Sequence, residues 1–78
     1  MGDEMTIEDA FKSLYVWLDA HPTYAVHIET VNIKTGRLHD VILWGMDEDP
    51  VYDARAEDLP LAIYRVLLSA RSKNENTE

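Results

Sequence analysis

The chain has no cysteine, and it has only three glycines and three prolines in 78 residues. Without cysteine there can be no disulfide framework, no thiolate nucleophile and no cysteine-bound zinc, and a reducing, intracellular setting fits. Basic side chains are scarce, with 7 Lys and Arg against 15 Asp and Glu, a formal net charge of −8 and a pI near 4.6. That balance repels phosphate backbones and anionic headgroups over the screening length, which argues against direct binding of nucleic acid or membrane. No apolar run approaches the roughly 20 residues that cross a bilayer. The acidic start also lacks the basic and apolar regions of a signal peptide, so a cytoplasmic protein is expected.

Catalytic motifs are missing as well. Ser13, Ser69 and Ser72 stand in no nucleophile motif, and no glycine-rich phosphate loop is present. A chain this short also has little room for a cleft that would set two carboxylates at different pKa values. The expectation is a protein that is not an enzyme, with no catalytic residues, no cofactor and no metal.

What is present is the pattern of one small domain, near the size at which a single core only just outweighs chain entropy. Residues 1–5 read as a disordered start, 6–71 as the folded unit and 72–78 as a disordered polar tail. Thr6 opens a helix-capping signature, with Asp9 three positions on and acidic residues filling the first turn. Ile7, Ala10, Phe11, Leu14 and Leu18 form one helical stripe with Tyr15 and Trp17 on its flanks. Pro22 ends the helix near Asp19 or Ala20, because it biases His21 away from helical geometry.

From Tyr24 to Gly45 two β-rich runs meet at Lys34-Thr35-Gly36-Arg37, where Gly36 can take a positive φ. A three-residue loop, Lys34 to Gly36, sets Ile28 opposite Ile42 and Val26 opposite Trp44. Tyr24, Val26, Ile28, Leu38, Ile42 and Trp44 then share one face, and His27, Val31, Ile33, His39, Val41 and Leu43 the other. A two-residue loop regroups these sets. The apolar phase changes from even to odd positions at Glu29-Thr30, which a bulge or cover on both faces would explain.

An acidic connection follows, in which Pro50 breaks regular structure and Val51-Tyr52 can add a short edge strand. Asp58 suits the N-cap of a last helix, Pro60 is tolerated in its first turn, and Leu59, Ala62, Ile63, Val66, Leu67 and Ala70 form its apolar stripe. The fold class expected is α+β: helix, β-hairpin, short strand, helix, with a small antiparallel sheet packed with two helices in a sandwich-like arrangement. Two apolar hairpin faces favour one helix on each face, or a homodimer made through the sheet.

The candidate partner-binding residues are Asp47, Glu48, Asp49, Asp53, Glu57 and Asp58, an acidic group suited to a protein with a basic surface. Their spacing lacks the alternating ligands, central Gly and closing Glu of a calcium loop. His27 and His39, with Asp40 or Glu29, make at most half a metal site, and half-buried packing is the plainer reading. A double-stranded RNA-binding module has a comparable element order, but it needs basic contacts where this chain begins its last helix with Glu57-Asp58.

The segment Ala54-Arg55-Ala56-Glu57-Asp58-Leu59-Pro60-Leu61-Ala62-Ile63-Tyr64-Arg65-Val66-Leu67-Leu68, preceded by a two-stranded segment with Trp44, resembles the C-terminal signature of the phage ABA sandwich domain family. Agreement is strongest over Leu59 to Ile63 and at Arg65. Tyr64 stands where that family is expected to carry Cys, and Val66-Leu67 where small alanines are usual. The resemblance implies a sandwich-like fold and a phage or prophage origin, and it supplies no site residues. Taken with the charge, it suggests an inhibitor of a host defence protein whose acidic surface mimics nucleic acid. The alternatives are an oligomeric accessory phage protein, or a small-nucleotide sponge using Lys34, Arg37, Arg55 and Arg65.

Overall fold

A computed structural model describes residues 6–46 and 48–75 of the chain. The order is α1 (Ile7–Ala20), β1 (Tyr24–Ile33), β2 (Gly36–Gly45), β3 (Tyr52–Ala56) and α2 (Leu59–Glu75). The strands form one antiparallel sheet in the order β1-β2-β3. The α+β class expected from the sequence is therefore the fold observed.

Both helices start where capping chemistry places them. Thr6 is extended, and its hydroxyl accepts a hydrogen bond from the Asp9 N–H at 3.1 Å. Asp58 accepts twice from the first turn of α2, by Oδ2 from Leu61 N–H at 3.2 Å and by its carbonyl from Ala62 N–H at 3.0 Å. The two side-chain bonds supply partners to N–H groups that the helix itself leaves unpaired, and the Asp58 carbonyl accepts the first regular helical bond. α1 stops at Ala20, one residue before His21 and two before Pro22. α2 runs on to Glu75, beyond the end expected at Arg71, because Ser72 to Glu75 contain neither Gly nor Pro to stop it.

The hairpin closes through two residues, Lys34-Thr35, and Ile33 pairs with Gly36 at φ 147°. The expected three-residue loop is thus one residue too long. Val26 faces Leu43 and Ile28 faces Val41, instead of Trp44 and Ile42. All ten pairs from Tyr24↔Gly45 to Ile33↔Gly36 are continuous, so there is no bulge at Glu29-Thr30. The phase change has another cause. Val26 and Ile28 lie on one face of the sheet and Val31 and Ile33 on the other.

Both helices cover the same face. The core joins Ala10, Leu14 and Trp17 of α1 to Val41, Leu43, Tyr52 and Ala56 of the sheet and to Ala62, Ile63, Val66, Leu67 and Ala70 of α2. The arrangement of one helix on each face is not found. α1's buried stripe is Ala10-Leu14-Trp17, and Ile7 is exposed, because the helix must also pack on α2. Leu61, Tyr64 and Leu68 of α2 are left facing outward.

The far end of the sheet outruns this cover. β3 pairs only with His39 to Leu43 of β2, and every residue from Glu29 to Arg37 is exposed. The hairpin therefore ends as a two-stranded arm. At the near end Trp17 stacks on His21 with centroids 3.9 Å apart and meets Tyr24 edge-on at 5.0 Å. Tyr24 in turn donates to the Pro50 carbonyl at 2.7 Å, which ties β1 to the β2–β3 loop.

Candidate functional site

The pairing makes the second face of the sheet readable residue by residue. Ala25, His27, Glu29, Val31 and Ile33 of β1 share it with Leu38, Asp40, Ile42 and Trp44 of β2 and with Asp53 and Arg55 of β3. None of these residues is buried. Among the described residues no helix or loop covers this face, and Trp44 and Val31 are 48% and 47% exposed on it. The face thus combines exposed apolar side chains with charged ones.

Charge is concentrated across the middle of the face. Asp40 sits on the central strand between Glu29 on one side and Arg55 on the other. Its Oδ2 is 3.5 Å from the Arg55 Nε. Asp40 Oδ1 is buried and has no hydrogen-bond partner within the chain. A buried carboxylate oxygen in that state carries a desolvation cost that no bond within the chain offsets. Asp53 lies across from Ile42 and diagonal to Trp44, so a carboxylate stands beside the most exposed aromatic of the sheet.

The acidic residues singled out from the sequence are distributed along β3. Glu48 and Asp49 precede it at the Trp44 end, Glu57 and Asp58 follow it at the opposite end, and Asp53 is on the open face between. Asp47 lies outside the described residues. Two of the group have structural work: Asp49 Oδ2 accepts from the Thr23 hydroxyl at 2.8 Å, and Asp58 caps α2. An open hollow lined by Thr23, Met46, Glu48 and Asp49 adjoins the first of these.

Tyr24, beside that hollow, has its phenol pushed up to about 12 by burial first, then by the neighbouring Tyr52 and Asp49. It stays protonated and acts as a donor, to Pro50, at physiological pH.

His27 and His39 do not approach each other as a metal pair. His27 is on the open face, while His39 is on the helix-side face, where its Nδ1 is 2.9 Å from the Thr30 hydroxyl. No group of three metal-ligating side chains occurs among the described residues. The four cations considered for a nucleotide also separate. Lys34 and Arg37 are at the hairpin tip, with Arg37 on the helix side; Arg55 is on the open face with Asp40; and Arg65 donates to the Arg55 carbonyl at 3.1 Å.

Sequence reasoning missed the association of Trp44 with Asp40, Arg55 and Asp53. The signal for it was the alternation along each strand, but it could be read only once the register between strands was known. Among the described residues no helix is long and apolar enough to cross a membrane. Comparison with protein families, with curated proteins and with solved structures matches this chain to none of them.

Proposed function

We propose that this protein works as a non-enzymatic binding protein whose recognition surface is the open face of the sheet. Its partner is a protein that surrounds an apolar patch with basic side chains. The observation that carries this reading is Trp44, a large aromatic 48% exposed on a face that no described element covers. Aromatic side chains in such positions are the usual anchors of interfaces. Glu29, Asp40 and Asp53 on the same face, and the net charge of −8, give the surface its preference for a cationic partner.

In its narrower form the reading follows from the resemblance to phage proteins: a phage or prophage product that occupies the basic nucleic-acid channel of a host defence protein and blocks it. Asp53 and Glu48 are free to contribute, and Glu57 extends the acidic surface at the other end of β3. Asp49 and Asp58 contribute less, because their carboxylates are already engaged.

The test is affinity capture from host lysate with three baits: the intact protein, Trp44→Ser, and a Glu48→Gln, Asp53→Asn double variant. The expected result is a basic protein captured by the intact chain, lost with Trp44→Ser, and weakened by the double variant more at low salt than at high salt. Capture that is equal for all three baits would reject the open face as the recognition surface.

A further inference from the structure

The two edges of the sheet are built differently. β3 is five residues long and carries Asp53 and Arg55. β1 is ten residues long, has no Pro, Gly or Lys, and has Glu29 and His27 as its only titratable groups apart from Tyr24. Short length, charge and proline are the means by which an edge strand avoids pairing, and of these β1 has only the single carboxylate of Glu29. No described element pairs along its outer side.

The hydrogen-bond phase of that outer side follows from the hairpin. In a two-residue hairpin the flanking pair, here Ile33 and Gly36, exchanges both backbone bonds. Alternation then directs the odd residues of β1 toward β2 and leaves Val26, Ile28, Thr30 and Asn32 with their N–H and C=O groups pointing outward. Two other bonds agree with this phase. The Tyr24 N–H, also on the outward set, is taken by the His21 carbonyl at 3.0 Å. On the opposite edge the same alternation turns the Arg55 carbonyl outward, where Arg65 reaches it.

We propose that β1 pairs antiparallel with β1 of a second copy about a two-fold axis at Ile28, joining two three-stranded sheets into one of six strands. A two-fold axis that keeps each face continuous pairs only residues of the same parity, so four registers compete near the strand centre. Pairing about Thr30 sets Glu29 against Val31 and His27 against Ile33, with no partner for the carboxylate. Pairing about Glu29 sets two carboxylates side by side, and pairing about His27 sets Ala25 against Glu29. Pairing about Ile28 places Ile28 against Ile28 on the helix side and His27 against Glu29 twice on the open side. Opposite or hydrogen-bonding partners directly across a ladder are favoured and like charges are not. Ala25 then meets Val31, and about eight new backbone hydrogen bonds form. The open faces of the two copies become one surface, with Trp44 present at both ends.

The chain's lack of cysteine makes the test direct. Sedimentation of the intact protein at tens of micromolar is expected to give twice the chain mass of 9.0 kDa. Thr30→Pro removes an outward N–H, which an edge tolerates, together with the hydroxyl contact to His39. Set against Thr30→Val as the control for that contact, it is expected to weaken the dimer by at least about tenfold. Its helix signal and melting profile should remain those of a folded protein. For the register, chains carrying His27→Cys and chains carrying Glu29→Cys are mixed and oxidised. These positions form the closer, non-hydrogen-bonded pair, at about 4.5 Å between Cα atoms, within disulfide reach. Rapid cross-linking of the mixture, and of neither variant alone, is the expected result. A monomer for the intact chain, or a dimer unaffected by Thr30→Pro in a folded background, overturns the pairing. Fast self-linking of Glu29→Cys alone overturns the axis at Ile28.

Discussion

The guanidinium of Arg65 on α2 donates to the main-chain oxygen of Arg55 on β3 at 3.1 Å, so the last helix occupies a backbone acceptor on the outer side of the last strand. Both residues are exposed, and Arg55 is also 3.5 Å from Asp40 on the open face. Arg65→Ala should therefore cost no more than about 1 kcal/mol, the net worth of an exposed hydrogen bond. The check is the urea midpoint. A loss of several kcal/mol would mean that Arg65 supports the core and not the edge.

The register makes a contrast between neighbours on β2. Leu43 is fully buried and Trp44 is half exposed, although a three-residue loop would exchange their faces. Leu43→Ala should cost about 2–5 kcal/mol, enough to unfold much of the population of a small domain. Trp44→Ala should leave the melting temperature nearly unchanged while abolishing partner capture. Equal destabilisation by both variants would contradict the observed sidedness.

Much of this fold was legible in the sequence, and what was not legible has a definite physical cause. Thr6 and Asp58 announce helix starts because an oxygen side chain just before an apolar stripe has one favourable use, and both are caps in the structure. The stripe from Ala62 to Ala70 is buried as its spacing predicts. Register was harder, because Thr35-Gly36 suits loops of two or three residues and one residue of slip exchanges the two faces. Sidedness was misjudged for a related reason: β1 has apolar residues at both parities, and cover on one face cannot be told from cover on two. The acidic group was identified by composition alone, which cannot distinguish Asp58, engaged as a cap, from Asp53, exposed beside Trp44. Asp40, the carboxylate with a buried unpaired oxygen, drew attention only as an accessory to a metal site.

Glycine has separate roles at the two ends of β2. At Gly36 a φ of 147° disfavours any side chain, while nothing within 4 Å would meet one. At Gly45 the reverse holds, because an added Cβ would lie 2.6 Å from the Asp49 Cβ. Gly36→Ala should cost about 1–2 kcal/mol through backbone strain alone. Gly45→Ala should displace Asp49 and break its bond to Thr23. Amide chemical shifts would separate the two, with changes confined to the hairpin tip in the first and spreading to Thr23 and Asp49 in the second.

Tyr24 sets an alkaline limit. Its folded pKa, about 12, lies above the ordinary value of 10.0, so the folded state holds its proton where the unfolded chain has lost it. The stability this contributes is fully present below pH 10 and is lost as pH rises from about 10 to about 12. Tyr24→Phe should flatten that fall and should also remove the bond to Pro50. Urea titrations of both proteins across this range provide the check. An unchanged slope in the variant would assign the alkaline loss to other groups.

The arm from Glu29 to Arg37, which runs past both the helices and β3, also divides the hairpin in time. Its amides open without breaching the core, so they should exchange with deuterated water through local fraying, far sooner than those of Val41 and Leu43, which await global unfolding. The protein thus keeps a segment that is already strand in shape yet barely committed to its own fold, and whatever docks there slows that exchange without any change in the rest of the molecule.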